Sequence, residues 1–336
     1  MIKVEQLRKV YGETTAVQGI SFEVPKGEIL GFLGPNGAGK STTMRMLTGF
    51  TPPTSGRASI GGFDIVRQSR QVRSILGYLP ESAPIYGEMT VEAYVDFIAE
   101  VKGLRGRGRK DAVGQALDEC GLTHVAGRLL MNLSKGYRQR AALAQAVVGN
   151  PQVVILDEPT VGLDPEQIRE IRDLIRGMAG RRTVILSTHI LPEVSLTCSR
   201  VIIISNGRLV ASGTPEHLET HVPRPNRIVV TVNGSPEQIA EHLRSLKNVR
   251  TVERRTPLAE RSTQQDTPEE FMVEIKDDHD IRAEVSRSLV ESGFELLEIR
   301  SLGLSLEEVF IHTVSAGDGL ARVSEKATFE KEYAHE

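Results

Sequence analysis

The sequence predicts an α/β fold built on a parallel sheet, with a helical subdomain inserted into it and a small α+β domain behind it. Three observations carry this. The continuous apolar runs Ile29–Leu33, Val153–Leu156 and Thr183–Leu186 each lead into polar residues, as strands buried on both faces do. From about 80 to 150 the apolar period becomes helical. Beyond 227 the pattern reads strand, helix, strand, strand, helix, strand, a ferredoxin-like order.

Taken in order, Ile2–Glu5 and Ser21–Val24 alternate as half-buried strands do. Ile29–Leu33 ends in a glycine-rich turn, followed by a helical run containing Met44 and Leu47. In the helical insertion, Val91, Tyr94, Val95, Ile98 and Val101 form one apolar face, and Thr90 is placed to cap the helix. The basic, glycine-rich stretch 105–110 reads as a solvated loop between helices. Val201–Ile204 and Leu209–Val210 flank Asn206-Gly207, the signature of a tight hairpin.

Two prolines mark 221–226 as a linker. Arg227–Val232 then reads as a strand. Ser235-Pro236-Glu237-Gln238 reads as a capping box, with Ile239, Leu243 and Leu246 on one helix face. Val249–Glu253 and Phe271–Ile275 are strands, Ile281, Val285 and Leu289 mark a helix stopped by Gly293, and Phe294–Ile299 closes the set. A last helix is expected from Ser305, with Glu308 completing its cap, and the charged tail 316–336 is expected to be flexible.

Composition narrows the function. The 336 residues suit about two domains. With 41 basic and 44 acidic residues there is no global positive field to collect nucleic acid, and none is expected as a partner. The two cysteines, Cys120 and Cys198, have neither metal-ligand nor disulfide-framework spacing, which fits a reducing compartment. No apolar run reaches the ~20 residues of a membrane-spanning helix. The N-terminus lacks the apolar stretch of a signal peptide, so service to a membrane would go through a partner.

Gly34-Pro35-Asn36-Gly37-Ala38-Gly39-Lys40-Ser41-Thr42 matches the P-loop pattern without a gap, between an apolar strand and a helix. A triphosphate carries about four negative charges; glycines let backbone N–H groups turn toward it, and the following helix adds its positive end. Lys40 is expected to bridge the β- and γ-phosphates and the Ser41 hydroxyl to hold Mg²⁺. Asp157, at the end of a buried strand, is expected on Mg²⁺ through water. Glu158 follows it, placed to polarise the attacking water.

The next motifs are more specific. Leu133-Ser134-Lys135-Gly136-Tyr137 resembles the signature of ATP-binding cassette (ABC) proteins, matching at Leu133, Ser134 and Gly136 and departing at Lys135 and Tyr137. Gly162-Leu163-Asp164-Pro165 resembles the family's D-loop, and His189 its switch histidine. Tyr11 sits where the family places an aromatic on adenine. Glu81 stands where the family usually has a metal-contacting glutamine, and is expected to keep that role.

The resemblance covers residues 1–220 and is closest to the single-cassette ATPases of export systems, including gliding-motility and drug-export subunits. It implies a P-loop NTPase ABC nucleotide-binding domain over 1–220, with its helical subdomain at about 80–150, and an accessory α+β domain over 227–315. It further implies ATP and Mg²⁺ as ligands, Asp164 among the nucleotide-binding residues, and a homodimer in which Ser134 and Gly136 of one copy meet the nucleotide held by the other. It also implies a separately encoded membrane permease as partner, and a place on the inner face of the cell membrane. Glu158, His189 and Lys40 are the catalytic residues it implies. A translation-type cassette protein would carry two cassettes in one chain, and a DNA-repair type would need a long coiled coil between P-loop and signature. The interval from Lys40 to Ser134 has no room for one.

Overall fold

A computed structural model describes residues 1–221, 227–255, 268–276 and 281–302. From residue 222 on the expected linker lies outside these, as do the helix expected from Ser305 and the tail after 316. The chain divides into two compact units, one up to Pro215 and one from Glu216.

The first unit opens with β1 (Ile2–Tyr11), β2 (Thr14–Val24), β3 (Ile29–Leu33), α1 (Lys40–Leu47), β4 (Ser55–Ile60) and β5 (Phe63–Asp64). Next come α2 (Ser69–Ile75), β6 (Leu76–Leu79), α3 (Val91–Val101), α4 (Gly106–Glu119) and α5 (Lys135–Val147). It continues through β7 (Val153–Asp157), α6 (Pro165–Arg176), β8 (Thr183–Thr188), α7 (Leu191–Thr197), β9 (Arg200–Ser205) and β10 (Arg208–Gly213), and α8 (Pro215–His221) lies at the division.

The strands form two sheets. The six-stranded sheet has the order β10-β9-β3-β8-β7-β6. Its strands are parallel except β10, which pairs antiparallel with β9. Every residue of β3, β7 and β8 is buried, which is why these strands read as unbroken apolar runs. The second sheet, β2-β1-β4-β5, is antiparallel. One core joins the two: Leu30, Phe32, Ile155 and Ile185 pack with Met44 and Leu47 of α1 and with Val4, Ile20 and Phe22. Each such side chain contributes about 1.5–3 kcal/mol on burial. Tryptophan is absent, and the rings of Phe22 and Phe32 meet with centroids 5.7 Å apart.

The helical insertion is α3, α4 and α5. The Thr90 hydroxyl caps α3, accepting from the Ala93 N–H at 3.2 Å. Val91, Tyr94, Val95 and Ala99 are buried, but Val101 is 68% exposed, against expectation. Ten residues at about 100° each put it about 80° round the helix from Val91. A second correction concerns 105–110, which is not a loop: α4 starts at Gly106. Arg109 reaches Asp96 and Glu100 of α3, each at 2.9 Å, while Val113, Ala116 and Leu117 bury. Those contacts outweigh the weak helix propensity of Gly106, Gly108 and Gly114. The buried Tyr94 hydroxyl donates to Gln145 at 2.7 Å, tying α3 to α5. Lys102 donates to the carbonyls of Gln145, Ala146 and Val148 at 3.0–3.2 Å, satisfying the C-terminal end of α5.

The second unit holds β11 (Arg227–Asn233), α9 (Pro236–Ser245), β12 (Val249–Arg255), β13 (Glu269–Ile275), α10 (Arg282–Glu291) and β14 (Glu295–Leu302). Its sheet order, β12-β13-β11-β14, all antiparallel, is ferredoxin-like. Ile228, Val230, Phe271 and Val273 pack under Ile239, Leu243, Val285 and Leu289. The capping box expected at Ser235 is not formed: the Ser235 hydroxyl donates to the Glu237 carboxylate at 3.1 Å, and its oxygen accepts from no amide of the first turn. Among the described residues no helix is long and apolar enough to cross a membrane.

Candidate functional site

The register of the parallel strands sets their C-terminal ends level. Leu33 lies opposite Thr188, and Asp157 opposite Ser187. The loops after β3, β7 and β8 therefore open on one edge, where ligands sit in sheets of this kind.

The loop after β3 is shaped by close approaches. A Cβ at Gly34 would run into the Ile204 carbonyl of β9. Gly39 has φ 106°, and a Cβ there would meet the Ala16 carbonyl at 2.6 Å. Glycine at both lets the loop fold between β2 and β9 and start α1 at Lys40. The unpaired N–H groups of the first turn of α1 then face the edge.

Lys40 is 5% exposed. Its ammonium donates to the carbonyls of Gly34 at 2.7 Å and Pro35 at 3.2 Å, and lies 3.2 Å from Glu158 Oε1. Glu158 Oε2 meets His189 Nδ1 at 2.9 Å. Glu158 has φ 51°, a left-handed conformation strained for a residue with a side chain, and its N–H donates to the Ser187 carbonyl at 2.9 Å. The strand thus turns sharply after Asp157, and the Glu158 carboxylate is delivered between a lysine from β3's loop and a histidine from β8's end. Asp157 is buried, and its Oδ1 makes no hydrogen bond. Burial raises its pKa above the ordinary carboxylate value; the Ser187 and Ser41 hydroxyls oppose the rise, and the charges of Glu158 and Glu81 add to it.

A cavity of about 400 Å³ opens here, lined by Ala16, Pro35, Asn36, Gly37, Gly39, Lys40, Ser41, Thr42, Glu81, Glu158, Val161 and His189. Its size is that of a small-molecule site. Gly34 and Ala38 lie in the same loop, behind the lining. Asp157, also outside the lining, ends the strand that leads to Glu158.

Besides Gly34, Ala38 and Asp157, four more of the expected residues do not line the cavity. Tyr11, at the end of β1, is 47% exposed, with the Lys9 ammonium 4.9 Å from its ring centre. Ser134 caps α5, accepting from the Tyr137 N–H at 3.4 Å, and Asp164 caps α6, accepting from the Gln167 N–H at 2.8 Å. Gly136 lies against Gln167, whose Cδ a Cβ at Gly136 would meet at 2.7 Å. Three residues of the site carry no expectation from sequence. Ala16 reaches it only through the pairing of β2, which leaves no local signal. Val161 stands three residues beyond Glu158, a spacing that offers a hint. Glu193 is an acid four residues beyond His189 and only 5% exposed.

Comparison with known proteins gives this geometry a context. Residues 17–161 match the family described as ABC transporter. The chain is 39% identical over 220 residues to the probable multidrug ABC transporter ATP-binding protein YbhF of Escherichia coli (strain K12), covering 65% of this chain but only 38% of that protein's length. It is 31% identical over 319 residues to the bacitracin transport ATP-binding protein BcrA of Bacillus licheniformis, covering 94% of this chain and 98% of that one. Among solved structures, cbiO1 from Clostridium perfringens, part of the ABC transporter complex cbiONQ, superposes with a TM-score of 0.60 at 31% identity, over 66% of this chain and 90% of that one. An unbroken phosphate-type loop, an acid pair and a histidine gathered on one sheet edge, and a relative matched almost end to end, lead to one assignment: the chain belongs to the ABC transporter family, as one of its ATP-binding subunits.

Proposed function

We propose that the chain hydrolyses ATP as a homodimer closed around two MgATP, and so drives conformational change in a separately encoded membrane permease, in the direction of export. The observation that carries this is the triad Lys40–Glu158–His189 lining the cavity, its lysine and glutamate buried and its histidine partly exposed. A triphosphate on the loop Gly34–Thr42 takes Lys40 from Glu158. The freed carboxylate, still hydrogen-bonded to His189, then faces the γ-phosphate and orients the attacking water. Lys40 and the α1 N-terminus stabilise the charge that develops on the transferred group.

The residues suit Mg²⁺. Asp157 Oδ1 is buried and unpartnered, the Ser41 hydroxyl is beside it, and Glu81 lines the same cavity. Among the described residues no three His, Cys, Asp or Glu side chains could hold a metal alone. Magnesium needs no such cage, because it takes one or two carboxylates and completes its shell with phosphates and water. When bound, it neutralises phosphate charge.

Tyr11 is exposed, and adenine would stack on its ring in place of, or opposite, the Lys9 ammonium. Ser134 and Gly136 stand at the N-terminal end of α5, and Asp164 at that of α6, outside their own chain's cavity. They serve the nucleotide held by the second copy. Tyr86, Phe97 and Met131 are exposed on the helical insertion, 50%, 40% and 58% respectively, an apolar face suited to a permease docking from the inner side of the cell membrane. The end-to-end likeness to a bacitracin transport ATP-binding protein supports the transport role.

The test is phosphate release from MgATP by the purified chain, with light scattering of Glu158→Gln in MgATP. Turnover by the wild type and a dimer trapped by the variant are expected. A variant that stays monomeric, together with a wild type that releases no phosphate with or without membrane components, would sink the proposal.

A further inference from the structure

Glu193 is the third residue of α7, and nothing in the phosphate, metal or signature motifs uses it. Its Oε2 accepts from the Thr188 hydroxyl at 3.0 Å, and the Thr188 Oγ1 in turn accepts from the Ile190 N–H at 3.0 Å. The two bonds bracket His189, with Thr188 before it and Ile190 after it. The other oxygen, Oε1, is buried and makes no hydrogen bond, and the same holds for the Thr160 hydroxyl, two residues beyond Glu158. Burial raises the Glu193 carboxyl pKa; the neighbouring Thr160 and Thr188 hydroxyls and the charge of His189 oppose the rise, and the charge of Glu158 adds to it.

Helix capping alone does not explain this. A glutamate at the third helical position ordinarily reaches back to the N-cap N–H from the solvent side. Here Thr188 takes that N–H, and the carboxylate is drawn inside, where an ion costs several kcal/mol to desolvate. The His189 side chain, by contrast, is 41% exposed. Packing covers its ring only in part, and the backbone that carries it is the turn held by these two bonds.

We propose that Glu193 is a positioning residue for hydrolysis: it locks the turn 188–190 so that His189 Nδ1 keeps its hydrogen bond to Glu158. This rests on the ATPase reading, but its structural half stands without it.

The test uses the full-length protein, with Glu193→Gln, His189→Ala and the double variant. Glu193→Gln is expected to lower kcat about tenfold or more while the Kd for ATP moves by less than about threefold. In the His189→Ala background the same change is expected to remove less than about twofold, because both act through one contact. In nucleotide-free protein, the imidazole nitrogen resonances of His189 are expected to lose the signature of the Glu158 bond. Thr188→Val cuts the same link from the other side, and replaces Glu193→Gln if that variant does not fold. Losses that multiply in the double variant overturn the proposal. So does unaltered kcat, or a weakened Kd at unaltered kcat. Should the wild type show no turnover, the ATPase reading falls, and the His189 resonances decide alone: unchanged in Glu193→Gln, they overturn the positioning role too.

Discussion

Nucleotide must compete with Glu158 for Lys40, and the strength of that competition can be worked from the structure. Lys40 Nζ and Glu158 Oε1 are 3.2 Å apart, and each side chain is 6% exposed. At an effective dielectric of about 20, that separation is worth about 5 kcal/mol of gross attraction. Desolvation of the two ions offsets most of it, leaving a net pull of about 1–2 kcal/mol. Glu158→Gln keeps the shape and removes the charge, so the empty state loses that pull while the bound state does not need it. At about 1.4 kcal/mol per factor of ten, binding is expected to tighten about 5- to 30-fold. ADP is the ligand to titrate, by calorimetry: it lacks the γ-phosphate, so the gain is not confused with relief of γ-phosphate repulsion. The nucleotide-free variant is also expected to melt lower than wild type, since Lys40 is left with only the Gly34 and Pro35 carbonyls. An ADP Kd that is unchanged or weaker would refute the competition.

Other outcomes follow from the same geometry. Lys40→Ala is expected to lose at least about tenfold in ATP affinity or turnover, a charge-assisted phosphate contact being worth about 1.5–3 kcal/mol; titration and a phosphate-release assay check it. Gly34→Ala drives a methyl into the Ile204 carbonyl and is expected to cost about 1–3 kcal/mol of stability, read by urea unfolding, and to weaken nucleotide binding with it. Burial, with Arg182 nearby, pushes Lys102 down from 10.5 to about 8. The unfolded chain therefore holds a proton that the folded one releases between these values, and stability is expected to rise with pH across that window; comparing melting curves of wild type and Lys102→Met from pH 7 to 10 isolates the rise, which the variant lacks. Truncation after residue 220 is expected to leave ATP binding intact, since the first unit has its own core; loss of cooperative unfolding in the truncated chain would contradict this.

The parts of the fold legible in the sequence were those with local signals. β3, β7 and β8 are buried on both faces, so composition alone marks them, and the loop glycines and adjacent acids stand at their ends. β4 and β5 were not legible. Ser55-Gly56-Arg57 carries no alternation, and Gly56, at φ 78°, presses on the backbone of Gln6, so the strand exists only because β1 is there to pair with it. The start of α4 was misread for a related reason. Its glycines argue against helix, and the decisive contact, Arg109 with Asp96 and Glu100, lies on another helix. In the site, the charged residues that stand in a motif were found; Ala16 and Glu193, which stand in none, were not. Ala16 arrives through strand pairing, and Glu193 looks like an ordinary first-turn acid until its burial is seen.

The placing of β8 between β3 and β7 has a consequence of its own. Neighbouring strands lie about 4.8 Å apart, so the strand carrying the phosphate loop and the strand carrying the acids are held about 10 Å from each other. The interposed strand is a gauge block: it sets the backbone of the two banks far enough apart for a phosphate chain to enter once Lys40 leaves Glu158. Were the two strands direct neighbours, that channel would close and the salt link between its banks would be permanent. The width of the slot is thus written into the order of the strands rather than into any residue that touches the ligand.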